Sequence, residues 1–224
     1  MQNHYPINEI FQSIQGEGFF TGVPSVFIRL QGCRVGCSWC DTKHSWTLDA
    51  DKLIPVRDLF SEKKPSAGWT WLSPQEIHHE LLKQGYHAKH IVITGGEPCD
   101  YDLNELTSYL LKHDFQVQIE TSGTQLIRAN ERCWVTVSPK INMAGGFDVL
   151  SDTLVRANEI KHPVATAKHI DQLDSLLDGI DISAKVMCLQ PISQKTRATK
   201  LAMDICIQRN WRLSVQMHKY LEIE

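Results

Sequence analysis

The 224-residue chain has no long hydrophobic run: nowhere do the ~18 consecutive apolar residues of a membrane span occur. It also lacks a charge excess. Its 23 basic and 26 acidic side chains give a formal net charge of −3, without the basic surplus of a nucleic-acid binder. The first residues include Asn3, His4, Pro6 and Asn8, with neither the basic nor the apolar segment of a secretory leader, so a cytoplasmic protein is expected. Internal repeats and low-complexity tracts are absent. Seven cysteines, an odd number, argue against a disulfide framework in that compartment. A chain of this length needs none, since it buries about 70% of its unfolded surface. The expectation is one soluble domain over residues 1–224 that binds neither nucleic acid nor membrane. Three of the seven cysteines nevertheless crowd into eight positions.

Short β-rich runs alternate with helical patterns. The predicted strands are Ser25–Leu30, His90–Thr94, Phe115–Glu120, Trp134–Ser138, Ala157–Lys161, Lys185–Gln190 and Arg212–Met217. Runs such as Ile91-Val92-Ile93 are continuously apolar, as in strands covered on both faces of a parallel sheet. Ser73-Pro74-Gln75-Glu76 carries a helix N-cap, a proline at the first helical position and a capping-box glutamate, and Gly85 marks the end of that helix. Leu103, Leu106, Leu110 and Leu111 have helical spacing, as do Ile170, Leu173, Leu176 and Leu177, and Lys200–Arg209 continues the pattern. This alternation predicts an α/β fold with a parallel sheet. Residues 45–72, with Trp46, Trp69, Trp71 and Lys63-Lys64, read as an insertion, because strands of the same kind flank them.

Nearly every predicted strand ends in glycine or polar residues. Gly32-Cys33, Thr94–Pro98, Glu120–Gly123, Ser138–Lys140, Gln190 and Gln216–His218 all fall at one end of the sheet. Parallel α/β enzymes assemble their sites at that end, so one shared site is expected.

Cys33, Cys37 and Cys40 follow the first predicted strand directly. A buried packing cysteine needs no neighbours at fixed spacing. Gly32 and Gly36 permit the tight backbone that lets three sulfurs converge. A structural zinc would need a fourth ligand, which His44 could supply. An iron–sulfur cluster ordinarily takes four cysteines, so three would leave one iron open for chemistry. The spacing favours the cluster and leaves zinc open. Cys99, Cys133, Cys188 and Cys206 read as packing residues, and among them only Cys99 has a case for lining the site.

The C-x3-C-x2-C run of Cys33, Cys37 and Cys40 resembles the signature of the radical S-adenosylmethionine (SAM) superfamily, as does Thr94-Gly95-Gly96-Glu97-Pro98 after an apolar strand. Phe11–Gly18, Cys40-Asp41-Thr42 and Gln216-Met217-His218-Lys219 are similar to the 7-carboxy-7-deazaguanine synthase family, over essentially the whole chain. The resemblance implies an incomplete TIM-like radical SAM barrel, an insertion after the cluster loop, and a homodimer. It implies conversion of 6-carboxy-5,6,7,8-tetrahydropterin to 7-carboxy-7-deazaguanine with loss of ammonia, on the route to queuosine and related 7-deazapurines. The implied cofactors are a [4Fe–4S] cluster on Cys33, Cys37 and Cys40, SAM chelated at the open iron, and Mg²⁺ on the Thr42 hydroxyl, with a flavodoxin-like reductant.

By the same resemblance Ile14, Gln15, Gly16, Glu17, Arg29, Thr94 and His218 face the substrate, and Gly96, Ser138, Pro139, Lys140 and Gln190 face SAM. Chemistry agrees with part of this assignment. Arg29 suits a carboxylate bidentately, and Glu17 or Gln15 can complement a pyrimidine-type edge. Arg29 shares a strand face with Phe27, opposite Val26 and Ile28. A family contact from the C-terminus to substrate is not assigned here to the acidic Glu224. His44 is left as a polar neighbour. Two other readings stay open: a radical SAM activase that installs a glycyl radical on a protein, and a zinc-stabilised module without catalysis.

Overall fold

The computed structural model describes residues 3–192 and 195–221. Among the described residues, nine strands form one sheet in the spatial order β3-β1-β2-β4-β5-β6-β7-β8-β9. They are β1 (Tyr5–Ile14), β2 (Pro24–Leu30), β3 (Thr70–Leu72), β4 (His90–Gly95), β5 (Gln116–Thr121), β6 (Trp134–Val137), β7 (Glu159–Val164), β8 (Val186–Pro191) and β9 (Arg212–Leu213). From β2 to β9 every pairing is parallel, with Arg29 opposite Thr94 and Thr121 opposite Val137. β1 and β3 extend the β2 edge antiparallel. The helices are α1 (Pro74–Lys83), α2 (Asn104–Lys112), α3 (Ser151–Arg156), α4 (Ala167–Leu176), α5 (Thr196–Arg209) and α6 (Met217–Leu221).

Local chemistry accounts for the clearest helix. The Ser73 hydroxyl accepts from the Glu76 backbone N–H while the Glu76 carboxylate accepts from the Ser73 N–H, closing the capping box. Ile77 and Leu81 then face the core, and Gly85 at φ +68° turns the chain away.

The sheet is two-sided in composition. Val26, Ile28, Ile91, Ile93, Ile119, Val135, Val137, Ile160 and Leu189 are all fully buried on the helix-facing side. Their alternate neighbours point to the concave side and are mostly polar, among them Arg29, Thr94, Gln118, Glu120, Lys161 and Gln190. Phe27 and Arg29 do share that face, opposite Val26 and Ile28. Among the described residues the sheet does not close by strand pairing. The connection from β1 to β2 crosses the gap instead: Gly18 N–H donates to the Ser214 hydroxyl (2.9 Å) and Gly16 C=O accepts from Met217 N–H (2.9 Å). The architecture is an open, partial barrel, as expected.

Three element readings change. Tyr5–Ile14 is a ten-residue strand that was not expected, with its pairing register shifted between Ile7 and Glu9. The strand expected over Arg212–Met217 is only Arg212–Leu213, because Ser214 turns to hold Gly18 and Met217 opens α6. The insertion ends in strand, since Thr70–Leu72 pairs with β1; the rest is single helical turns at Ala50–Lys52 and Val56–Asp58 and a Leu53–Trp69 bridge. Both of its ends are tied to the barrel. Buried Asn8 donates to Ser66 C=O and to the Gln31 side chain, and Gln31 donates to the carbonyls of His44 and Thr47.

Candidate active site

The concave side of the sheet, at the C-terminal ends of its parallel strands, holds a cavity of about 390 Å³. Cys33, Cys37 and Cys40 line one wall. Gly32 and Gly36 adopt φ of +102° and +73°, so the loop carrying the sulfurs needs glycine at both positions. The loop is pinned on several sides. Gly32 and Cys33 N–H donate to the carbonyls of Ser45 and Trp46, Glu97 N–H donates to Gly32 C=O, and Gly145 N–H donates to Val35 C=O. Gly96 packs so closely that a Cβ there would sit 1.9 Å from the Gly32 oxygen. The two sequence motifs are therefore one backbone unit.

The donor set fits an iron–sulfur cluster. All three cysteines are free thiols facing the same cavity. Burial pushes Cys33 up to about 11, with Glu97 and the two neighbouring thiols adding to it, and burial raises Cys37 as well, so a bound cation would favour their ionised form. His44 is not among the cavity-lining side chains, so the Cys3His set is not assembled. Cys40 Sγ receives a hydrogen bond from Trp46 Nε1 (3.4 Å) and lies 3.6 Å from the Thr42 hydroxyl. Thr42 heads the turn Lys43–Ser45 without a side-chain capping bond, so its hydroxyl is not consumed as a cap and borders the cavity.

Glu97, in the second motif, plays a different part from its glycines. Its side chain is 2% exposed and wholly turned inward. It accepts from Cys99 N–H (3.0 Å), the Thr121 hydroxyl (2.6 Å), Ser122 N–H (2.8 Å) and the Ser122 hydroxyl. The carboxylate thereby staples the end of β4 to the end of β5. Cys99 lies in the core behind this staple and does not line the cavity, correcting the sequence expectation. Cys133, Cys188 and Cys206 are buried as expected.

The opposite wall is strongly polar. Arg29, from β2, donates through Nε to Glu9 on β1, and this pair fixes its guanidinium at the cavity. Lys161, from β7 and 4% exposed, reaches both Glu17 (2.7 Å) and Glu120 (3.0 Å). Glu17 Oε1 also accepts from Gln216 Nε2 (2.9 Å). Burial works against ionised Glu17, but Lys161, Gln216 and His218 outweigh it and hold its carboxyl at about 2. Glu120 goes the other way. Burial, with the charges of Glu159 and Glu17, outweighs Lys161 and pushes it up to about 7. Lys161 is driven upward by its two partners against burial, so it stays charged. His218, in the first turn of α6, packs against Gly16 so tightly that a Cβ there would lie 2.7 Å from its Nδ1.

A family model for the radical SAM superfamily matches residues 27–140. The chain is 55% identical to the 7-carboxy-7-deazaguanine synthase of Escherichia coli K12, covering 98% of this chain and 99% of that one. It is 48% identical to the synthase of Buchnera aphidicola, with 98% and 99% covered. The chain belongs to the 7-carboxy-7-deazaguanine synthase family. A crystal structure of QueE from Escherichia coli superposes with a TM-score of 0.93 at 54% identity, over 96% of this chain and 95% of that one.

Every site residue expected from the sequence lines this one cavity except Pro139, which is buried between Ser138 and Lys140. Ser138 N–H bonds Thr121 C=O, and Lys140 Nζ donates to the Ser138 hydroxyl (2.6 Å), so that segment is anchored to the end of β5. Gln190 accepts from the Ser214 hydroxyl. Glu224 lies outside the described residues. Glu120 and Lys161 were missed as site residues, as was Gln216. The signal was present in Gln118-Ile119-Glu120 and Glu159-Ile160-Lys161, where polar groups alternate with apolar ones on a single face.

Proposed function

We propose that the protein converts 6-carboxy-5,6,7,8-tetrahydropterin into 7-carboxy-7-deazaguanine with loss of ammonia, as a radical SAM lyase of queuosine and 7-deazapurine biosynthesis. The observation that carries this reading is that one cavity joins three cysteines to a wall bearing Arg29, half-buried Glu17 and Glu120, and buried Lys161. A cluster alone needs no such wall, and a pterin carboxylate with a donor-rich ring edge does. When bound, the [4Fe–4S] cluster and SAM supply a carbon-centred radical able to remove a hydrogen from unactivated carbon.

The chain's own residues do the rest. Cys33, Cys37 and Cys40 would hold the cluster beside the joined Gly32–Gly96 backbone, and Ser138, Lys140 and Gln190, with Pro139 behind them, would take SAM. Arg29, steadied by Glu9, takes the substrate carboxylate. Ionised Glu17 accepts from the pterin amino group and ring N–H, beside Ile14, Gln15, Gly16 and His218, and Thr94 borders the ring. Thr42 would offer one oxygen to Mg²⁺, a hard cation suited to oxygen ligands. Barrel walls and the crossing loop 15–18 exclude water from the reacting carbons. A flavodoxin-like reductant, a homodimer, a single 224-residue domain and a cytoplasmic location complete the proposal. Among the described residues no helix is long and apolar enough to cross a membrane.

The test is binding. Reconstituted protein with SAM should bind the carboxypterin saturably, and Arg29→Met should weaken it on the order of 10²-fold, as for loss of a charge-assisted pair. An iron- and sulfide-bearing protein that ignores the pterin would point to the activase reading, and a colourless protein holding zinc to a non-catalytic module.

A further inference from the structure

The polar wall carries an imbalance that substrate recognition alone does not explain. Two carboxylates, Glu17 and Glu120, share one ammonium, that of Lys161, at 2.7 and 3.0 Å. A third carboxylate, fully buried Glu159, lies two residues before Lys161 on the same strand and is occupied by Phe19 N–H and the Thr136 hydroxyl. Glu120 also accepts from Gln118 Nε2 (3.0 Å), and the other end of that amide meets His90 Nε2 (2.9 Å), so its orientation is fixed from below. The titratable groups facing the pair are Glu159 from β7, Lys140 after β6, His218 from α6 and, through Gln118, His90 from β4. A buried cation can neutralise one anion, and the second is then cheaper to keep protonated.

We propose that Lys161 is a positioning residue: it fixes Glu17 as the anion that receives the pterin's N–H donors and leaves Glu120 as the group that exchanges a proton with bound substrate. The inference rests on the proposed reaction, which must release an amine as ammonia. The proton step balances within the site. An O–H bond of Glu120 breaks as an N–H bond forms on the departing amine, whose carbon–nitrogen electron pair leaves with the nitrogen. Glu120 recovers a proton from the ring carbon that gives one up as the five-membered ring becomes aromatic, and the C–H pair enters the ring. The perturbed acidities of Glu17 and Glu120 agree with this division of labour.

The experiment is the pH profile of deazapurine formation by reconstituted enzyme with SAM, Mg²⁺ and reductant, for wild type, Lys161→Met, Lys161→Arg and Glu120→Gln. Wild-type kcat should fall above a limb near about 7. Lys161→Met removes the charge that favours ionised Glu120, so the limb should move up by one unit or more, with KM for the pterin raised. Lys161→Arg should recover part of KM. Glu120→Gln should abolish the limb and lower kcat on the order of 10²–10⁴-fold. Cluster absorbance and melting temperature check the fold of each variant, and if Lys161→Met fails that check, Glu120→Gln alone decides. A limb that is unchanged in Lys161→Met or persists in Glu120→Gln overturns the proposal. A wild type that makes no deazapurine overturns the proposed function instead.

Discussion

Replacing Glu97 by glutamine changes one atom in a fully internal staple, and its cost can be worked from the bonds. One carboxylate oxygen accepts from Cys99 N–H and the Thr121 hydroxyl, and the other from Ser122 N–H and the Ser122 hydroxyl. Whichever oxygen the new amide nitrogen replaces, it opposes a backbone N–H that can only donate. One buried donor is left unsatisfied, at about 1–3 kcal/mol, and the surviving bonds lose their charge assistance. The sum is about 2–5 kcal/mol. For a chain of roughly this size 1 kcal/mol moves Tm by about 2–4 °C, so a fall of roughly 4–20 °C is expected. The assay is anaerobic thermal unfolding of the cluster-free chain followed by circular dichroism, which separates the staple from cofactor loss. Because Glu97 N–H also holds Gly32 C=O, iron retention in the reconstituted variant should drop with it. A Glu97→Gln protein melting within about 2 °C of wild type would refute the view that this motif's glutamate is a structural clasp.

Further outcomes follow from the same geometry. Gly96→Ala places a methyl group against the Gly32 oxygen, where backbone must move, so iron and sulfide content should fall together; full cluster content would contradict the close approach. Thr42→Ala should raise the Mg²⁺ concentration needed for half-maximal turnover while cluster absorbance stays intact, and loss of the absorbance would make Thr42 structural. Glu120, folded near about 7 against 4.5 as its ordinary value, holds its proton longer in the folded chain. Its contribution to stability therefore declines as pH rises from about 4.5 to 7, by about 3 kcal/mol in all. Glu120→Gln should escape that decline, so denaturant curves of the two proteins running parallel from pH 5 to 7.5 would contradict the buried-pair electrostatics. Glu17 works with the opposite sign: held at about 2, it stabilises above pH 4.5, and that contribution is lost as pH falls toward 2.

The parallel strands and long helices were legible because Ile91-Val92-Ile93, the capping box at Ser73 and the leucine spacing each answer to local rules. β1 was not, because Asn8, Glu9 and Gln12 interrupt any apolar run and the register shift between Ile7 and Glu9 breaks the alternation that marks a strand. Its polar residues turn out to be functional fasteners, Asn8 for the insertion and Glu9 for Arg29. The cysteine wall could be read because metal ligands recur at fixed short spacing. The carboxylate wall could not be assembled the same way: Glu120 and Lys161 meet across separate strands, and Glu17 and Gln216 join them only where loop 15–18 crosses the open barrel, tertiary events that no sequence window contains.

The measurement that reaches the central claim most directly is turnover itself. Anaerobically reconstituted protein, given 6-carboxy-5,6,7,8-tetrahydropterin, SAM, Mg²⁺ and a low-potential reductant, should form 7-carboxy-7-deazaguanine and ammonia in equal amounts, identified by mass, and should form neither when Cys37 is replaced by serine. A preparation with full iron and sulfide content that leaves the pterin unchanged would contradict the account.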